Sequence, residues 1–513
     1  MSLHHEKLTC GSEAAKTIST RRAEKPRLTG LCAVLLCSML GCAVGPNFER
    51  PKPPSVESYT TGTIPAETVP ADGKAQHFEQ GAEIISDWWR LFNSPRLDNV
   101  VKEAISNNQS MQAAQANLRQ SQDLLRAGYG VFYPQLNAGL GASRQKSSPA
   151  LTGGFNPSSI FNLFTLSASV SYALDVFGGE RRAVESLGAQ VDFQHATVMA
   201  TYIALSGNVV NAIIARAGYQ EQIKATEQII SFQRDQIKIT DARAQAGLIP
   251  YSDLLSLQSQ LATLEATLPP LQQKLNQTDH LLATLAGRTP AEWTPPEVEW
   301  SDLTLPGELP ITLPSRFVRQ RPDILAAEAQ LHSASAEIGV ATAALFPSFT
   351  LNGAYGVGNN TVSKLFNGNS NFWNLGANVT APLFHGGTLW FERKAAIDSY
   401  QVSLANYRQT VLSAFAQVAD TLRALEHDAE LVQAQSLAFS SAEEALRLIL
   451  ANYQAGTANY VQVLIANNQY QQAKIGLLQA QAQRYQDTVA LFVSLGGGWD
   501  GEEKVVDNNP AKN

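Results

Sequence analysis

Nucleophiles and metal ligands are scarce in this 513-residue chain, and their placement limits the chemistry open to it. All four cysteines (Cys10, Cys32, Cys37 and Cys42) lie in the first 42 residues, and none follows. The body of the chain therefore has no disulfide framework, no Cys-ligated zinc and no thiol nucleophile. The eight histidines are scattered, and no two stand at metal-ligand spacing outside the leader pair His4-His5. Glu426-His427-Asp428 reads as the solvated face of a helix. Gly496-Gly497-Gly498 lacks the strand and the Lys-Ser/Thr of a phosphate loop, and reads as a helix C-cap. No catalytic constellation emerges, so the expectation is a protein that is not an enzyme and holds neither metal nor cofactor.

Cys42 is the exception. Arg21, Arg22, Lys25 and Arg27 precede an apolar run over 28–41. It is too short to span a bilayer but has the length of a secretory h-region. It ends Met39-Leu40-Gly41-Cys42, the pattern in which a small residue precedes a cysteine that becomes acylated, with Met39 where Leu is usual. Export would remove residues 1–41 and leave a covalent lipid on Cys42. One acyl chain anchors only marginally; a triacylated cysteine carries more apolar surface. Charged residues make up 16% of the chain, against about 25% in ordinary soluble domains. The formal charge is −7, and loss of the leader makes it 32 − 42 = −10. Nucleic acid is a poor partner for such a surface.

The elements that carry these residues are used twice. Ala116-Asn117-Leu118 with Tyr133-Pro134 recurs as Ala329-Gln330-Leu331 with Phe346-Pro347. Val176-Phe177-Gly178-Gly179 recurs around Leu383-Phe384 and Gly386-Gly387, and Gln245-Ala246-Gly247 recurs as Gln454-Ala455-Gly456. Four landmarks at nearly constant offset, with Leu285-Ala286-Gly287 and Leu495-Gly496-Gly497 closing, mark a tandem duplication. The expected organisation is an extension over 42–95, repeat 1 over 96–287 and a proline-rich linker over 288–314. Repeat 2 then covers 315–499, followed by a polar tail over 500–513. Each repeat reads helix (96–131; 316–346), strand hairpin (134–177; 347–384), long helix (180–247; 388–455), turn and helix.

In the hairpins the period is two. Phe164, Leu166, Ala168, Val170, Tyr172, Leu174 and Val176 alternate with Thr165, Ser167, Ser169, Ser171 and Asp175. Trp373, Leu375, Ala377 and Val379 alternate with Asn374, Gly376, Asn378 and Thr380. Such strands suit an outer membrane, apolar to lipid and polar to lumen; a half-buried sheet in a soluble sandwich shows the same alternation. The hairpin loops over 147–162 and 357–371 are polar. The two long helices run without proline and would each span roughly 100 Å. Ile223, Ile230, Ile237, Ala244 and, separately, Ala225, Phe232, Ile239, Ala246 form two heptad stripes, giving the helix neighbours on both flanks. Leu254, Leu261, Leu268, Leu275 and Leu282 continue as coiled-coil packing that Pro269-Pro270 must kink. The short helices of each repeat sum to about the length of the long one, so two can stack end to end beside it. Four strands cannot form a closed barrel, so copies must pool theirs. A lumen wide enough to stay wet favours three copies over two.

The chain from Cys42 to Trp499 resembles the TolC-like outer-membrane efflux family in its OprM/NodT-like lipoprotein branch. The residues that carry the likeness are Cys42-Ala43-Val44-Gly45-Pro46-Asn47-Phe48 with Arg50-Pro51, and Trp88-Trp89-Arg90-Leu91-Phe92. Further along stand Arg321-Pro322-Asp323-Ile324-Leu325-Ala326-Ala327-Glu328, Ala344-Leu345-Phe346-Pro347-Ser348 and Leu495-Gly496-Gly497-Gly498-Trp499. The resemblance implies a mainly α protein with a membrane β part. That is a homotrimer whose twelve-stranded outer-membrane β-barrel continues as a twelve-helix periplasmic α-barrel. It also implies docking to a periplasmic adaptor and an inner-membrane pump of the resistance-nodulation-division (RND) class. The protein would be the passive exit duct, lipid-anchored in the outer membrane. Two other readings are a duct for ATP-driven protein secretion and a structural coiled-coil lipoprotein without a pore. The helix-turn-helix tips at Gly247 and Gly456 are the expected adaptor docking points and gate. Asp253 follows the first turn, where family members often carry an acid. At the second, Gly456-Thr457-Ala458-Asn459-Tyr460 resembles the family's Gly-x-Asp-x-Tyr, with Ala458 replacing the acid. Asp253, Tyr453 and Asn459 are therefore the candidate gate residues; a helix N-terminal charge held by the dipole is the plainer reading of Asp253.

Overall fold

The computed structural model describes residues 43–497, apart from 57, 63, 64, 72, 83 and 148–157. The leader 1–41, Cys42, most of the first hairpin loop, Trp499 and the tail 500–513 lie outside the described residues.

Both repeats fold as the same series of elements, except that the closing helix is broken in two in the first. The first has α1 (Pro95–Asn107), α2 (Gln109–Gly128), β2 (Gln135–Ser147), β3 (Ser159–Leu174), α3 (Gly179–Gln245), α4 (Tyr251–Glu265) and α5 (Leu268–Leu285). The second has α6 (Pro314–Gln320), α7 (Pro322–Ala343), β5 (Ser348–Asn359), β6 (Asn371–Thr380), α8 (Thr388–Gln454) and α9 (Tyr460–Ser494). The short strands β1 (His77–Gln80) and β4 (Glu308–Ile311) belong to the N-terminal extension and the linker, and pair in parallel. The proline-rich linker is thus tied to the extension, a contact that composition alone did not reveal.

The long helices have the expected extent, 67 residues each. The opening helices do not. The expected helix over 96–131 breaks at Asn108, whose ψ of 128° is extended; its side chain accepts from the backbone N–H of Ser110 and Met111. A 3-10 turn over Tyr129–Phe132 then leads into β2. The expected helix over 316–346 likewise breaks at Arg321, where Pro322 follows and disfavours helical backbone. Both breaks serve the end-to-end stacking. Asn108 Nδ2 donates to the Leu285 carbonyl at the end of α5 (3.0 Å). Arg321 Nη1 donates to the Ser494 carbonyl at the end of α9 (2.7 Å). Each side chain satisfies a helix-terminal carbonyl that would otherwise be an orphan. So α2 stacks on α5, α7 stacks on α9, and α1 and α6 fold aside at the equator.

The wall runs α2–α3–α7–α8 on the strand side of the equator and α4/α5–α3–α9–α8 on the other. Helix α3 is interior, with 26 buried residues; α8, equally long, has 10 and forms one edge. The apolar stretch of α3 that could cross a membrane by length is 67% buried within the chain. The break between α4 and α5 falls at 266–267, just before Pro269-Pro270, and Leu254, Leu257 and Leu282 lie on the covered face. The second stripe of α3 is less covered: Ala225 is buried, but Phe232 and Ile239 are exposed. The strands are longer than expected, reaching Ser147 and starting again at Ser159.

The densest core lies at the equator. Trp88 stacks on Phe492 at 5.2 Å, and Trp89, Phe92 and Phe317 are fully buried around them. Phe492→Ala should lower the unfolding free energy by about 3–5 kcal/mol, because the cavity opens in the centre of this cluster. Chemical denaturation of the purified protein measures it.

Candidate functional site

The sheet order is β2-β3-β5-β6, antiparallel throughout. Directly opposed residues share a face, and here like meets like in every strand. Leu136 faces Val170, Leu140 faces Leu166, Ala168 faces Tyr355, Tyr172 faces Leu351, Tyr355 faces Trp373 and Phe349 faces Val379. On the other face Asn137 meets Ser169, Ser171 meets Asn352 and Thr350 meets Asn378. The apolar face is bare: Leu140, Trp373 and Leu375 are 74–82% exposed. Along β3 it runs from Phe164 to Leu174. At ~3.3 Å per residue that is about 33 Å, or about 25 Å of height at a barrel tilt of ~40°. Beyond it Arg144 and Asn162 occupy the same face. Among the described residues, strands β2 and β6 each have one unpaired edge.

At the opposite end the two turns meet. Gly247 (φ 69°) and Gly456 (φ 77°) adopt the left-handed conformation that ends α3 and α8. Leu257 of α4 packs with Tyr460 and Val463 of α9, with Ile237 and Tyr453 against them. The Tyr453 and Tyr460 rings meet nearly edge-on at 5.7 Å, and the Arg243 guanidinium lies 5.1 Å from the Tyr453 centroid. The Tyr453 hydroxyl is buried with no hydrogen-bond partner among the described residues. Burial first, then the neighbouring Tyr453 and Asp253, push the Tyr460 phenol well above its ordinary range.

Of the residues chosen from sequence, Tyr453 and Asp253 therefore converge on Tyr460. Asn459 is used otherwise. Its Oδ1 accepts from the Gln462 N–H at 3.1 Å, and the Gln462 side chain accepts from the Asn459 N–H, a capping box at the start of α9. Arg243 and Tyr460 were missed. Tyr460 stood in the Gly-x-Asp-x-Tyr motif without being given a role, and nothing in the local sequence marks Arg243, which reaches Tyr453 only when the two tips come together. The Glu426-His427-Asp428 reading needs correction. Glu426 and His427 do face outward, to Arg423 and Glu430, but Asp428 is 8% exposed. At the end of α9, Gly496 and Gly497 have positive φ, as a C-cap requires. Among the described residues no group of three or more His, Cys, Asp or Glu could hold a metal.

An apolar-banded sheet on a long helical wall defines a chain built to carry a passage out of a membrane. The chain belongs to the outer membrane efflux protein family, whose sequence profile matches residues 100–288 and 313–497. That is a family of outer-membrane channels and not of enzymes. Among its relatives is the pyoverdine export outer membrane protein OpmQ of Pseudomonas aeruginosa, 32% identical over 431 residues, covering 82% of this chain and 90% of OpmQ. Solved structures agree. The outer-membrane channel OprN superposes with a TM-score of 0.81 at 26% identity, over 89% of this chain and all of OprN. The open-state MtrE channel of Neisseria gonorrhoeae gives 0.76 at 26% identity, over 89% and 98%.

Two substitutions test the sheet's orientation. Val170→Arg on the apolar face should cost about 2–4 kcal/mol near the bilayer midplane and block assembly into the outer membrane; Ser169→Arg, one residue away, should be tolerated. Fractionated membranes probed for each variant report the difference. Asn459→Ala should cost about 1 kcal/mol as a lost cap, measured by denaturation, and leave channel conductance unchanged.

Proposed function

We propose that three copies of this chain form the outer-membrane exit duct of a tripartite efflux system of the RND class. The sheet with a bare apolar face and two unpaired edges carries this reading. An open edge is intolerable in hydrocarbon. Because the four strands alternate in direction, β6 of one copy meets β2 of the next antiparallel, and any ring of copies closes correctly. Three copies make twelve strands, enough to keep the polar face of Asn137, Ser169, Asn352 and Asn378 around a wet lumen. The α8 edge joins the α2 and α4/α5 edge of the neighbouring copy, making twelve helices around the periplasmic bore. Exposed Val402, Leu412 and Leu437 on α8, and Leu124, Leu255 and Leu281 on the other edge, supply the apolar contact.

Lipidation of Cys42 fits the same arrangement. The Val44 N–H donates to the Phe177 carbonyl at 3.0 Å, and Ala43 lies against Gly178, so close that a side chain at 178 would clash. Ala43 and Val44 thus lie at the foot of the sheet, and an acyl anchor on the neighbouring Cys42 would insert at the inner face of the membrane. The tips bear exposed Leu248, Tyr251, Val461 and Ile465, an apolar surface suited to the helical hairpins of a periplasmic adaptor. Asp253, Tyr453 and Arg243 form the resting gate. Cargo is chosen by the pump, since a wide duct imposes little selection; small toxic compounds are the class implied.

In planar bilayers the purified protein should open long-lived pores. Asp253→Ala should raise the conductance of the resting state, and an unchanged resting state would remove Asp253 from the gate. Cys42→Ser should abolish the lipid mass on the mature N-terminus, read by mass spectrometry.

A further inference from the structure

Asp428 turns from α8 into the α8–α9 interface. Its Oδ2 is buried and has no hydrogen-bond partner among the described residues. Across the interface Asp487 of α9 lies within hydrogen-bonding reach of it, and Asp487 Oδ2 accepts from Gln483 Nε2 at 2.8 Å. One turn earlier on α9 stands Arg484, 3% exposed. Its guanidinium reaches into the N-terminal strap, residues 66–80. Nε donates to Gln76 Oε1 (3.0 Å), Nη1 to the Ala71 carbonyl (3.4 Å), and Nη2 to Thr68 Oγ1 and the Lys74 carbonyl (3.3 Å each). The same strap carries β1, which holds the linker strand β4. One arginine therefore fastens the equatorial belt, with two carboxyl groups beside it.

Burying the Asp428 carboxylate beside the charge of Asp487 is costly unless Asp428 keeps a proton. We propose that Asp428, beside Asp487, is a proton-operated latch for the belt: while Asp428 keeps its proton Arg484 holds the strap, and loss of that proton adds a second negative charge that competes for the guanidinium and loosens the strap. Among the described residues, several neighbouring charged groups are engaged elsewhere. On α8 Arg423 pairs with Glu426 and His427 with Glu430; on the strap Glu67 pairs with His77, and Lys74 offers Arg484 only its carbonyl.

The sign follows from the direction of the shift. Burial first, then the hydrogen bond and charge of Asp487, push Asp428 up to about 8, against the pull of Arg484. With the strap open and the site wet, Asp428 returns to the ordinary carboxylate range near 4. The closed strap then binds the proton more tightly than the open one. Closure weakens as pH rises from about 4 to about 8 and is level above that. Acid surroundings tighten the belt.

Hydrogen exchange on the purified full-length protein tests this, with amide protection over 66–80 followed from pH 5.5 to 9 and corrected for intrinsic exchange rates. Protection in the wild type should fall by up to tenfold per pH unit between 6 and 8 and then level off. Amides of α3 over 205–217 should stay constant, which separates local opening from global unfolding. Asp428→Asn and Asp487→Asn should each flatten the profile, the first by mimicking the protonated acid and the second by removing the charge that holds the proton. A level profile in the wild type overturns the latch, and so does an undiminished slope in either variant. If one variant does not fold, the other decides.

Discussion

A backbone hydrogen-bonding group facing hydrocarbon without a partner costs several kcal/mol, and this chain offers two whole strand edges of them. Everything else in the architecture answers that constraint. The sheet cannot be wider within one copy, because the duplication supplies two hairpins only. It cannot lie flat on the membrane, because its apolar face is about as tall as the bilayer's hydrocarbon core. Closure with other copies is the answer proposed here, and the helical wall below has two edges to offer it: α8 on one side, α2 and α4/α5 on the other. In the proposed assembly each copy is a sector of a tube, with its bare apolar surface where the other sectors fit.

A wall one helix thick has a second requirement, which is continuity. A 67-residue helix cannot be bordered by a single shorter one, so each long helix is flanked by two short helices end to end. Stacked helices leave carbonyls unpaired at the joint. Asn108 and Arg321 fill that role in the two repeats, separated by 213 residues like the landmarks of the duplication itself. The joints coincide with the aromatic core around Trp88 and Phe492 and with the strap fastened by Arg484. The equator is the stiff waist of the protomer. The tips are held more lightly, by a small cluster around Leu257, Tyr460 and Val463.

Much of this was legible in the residues. Period-two alternation gave the strands, and cross-strand register repeats it pair by pair. The absence of proline over 68-residue stretches announced the long helices to within a residue or two. The break at Asn108 was not legible, because Asn within a helical pattern is ordinary and its cap to α5 is made 177 residues away; the break at Arg321 was signalled by Pro322 and was read through. Asp428 was misjudged for a similar reason. Its neighbours Glu426 and His427 do face water, and only the packing of α9 and the strap turns position 428 inward. At the tips, sequence named Asp253 and Tyr453 and held Tyr460 in its motif, but could not supply Arg243, whose contact with Tyr453 crosses between repeats.

The central claim is that the β2 edge of one copy pairs with the β6 edge of another in a ring of three. The sequence beyond Cys42 contains no cysteine, so engineered thiols report without background. Single cysteines placed along β2, each combined with one along β6, should form disulfides in outer membranes at one register. Non-reducing denaturing gels should then show a covalent species of three chains. Chains that remain monomeric at every register, or that stop at a covalent dimer of eight strands, would contradict the account.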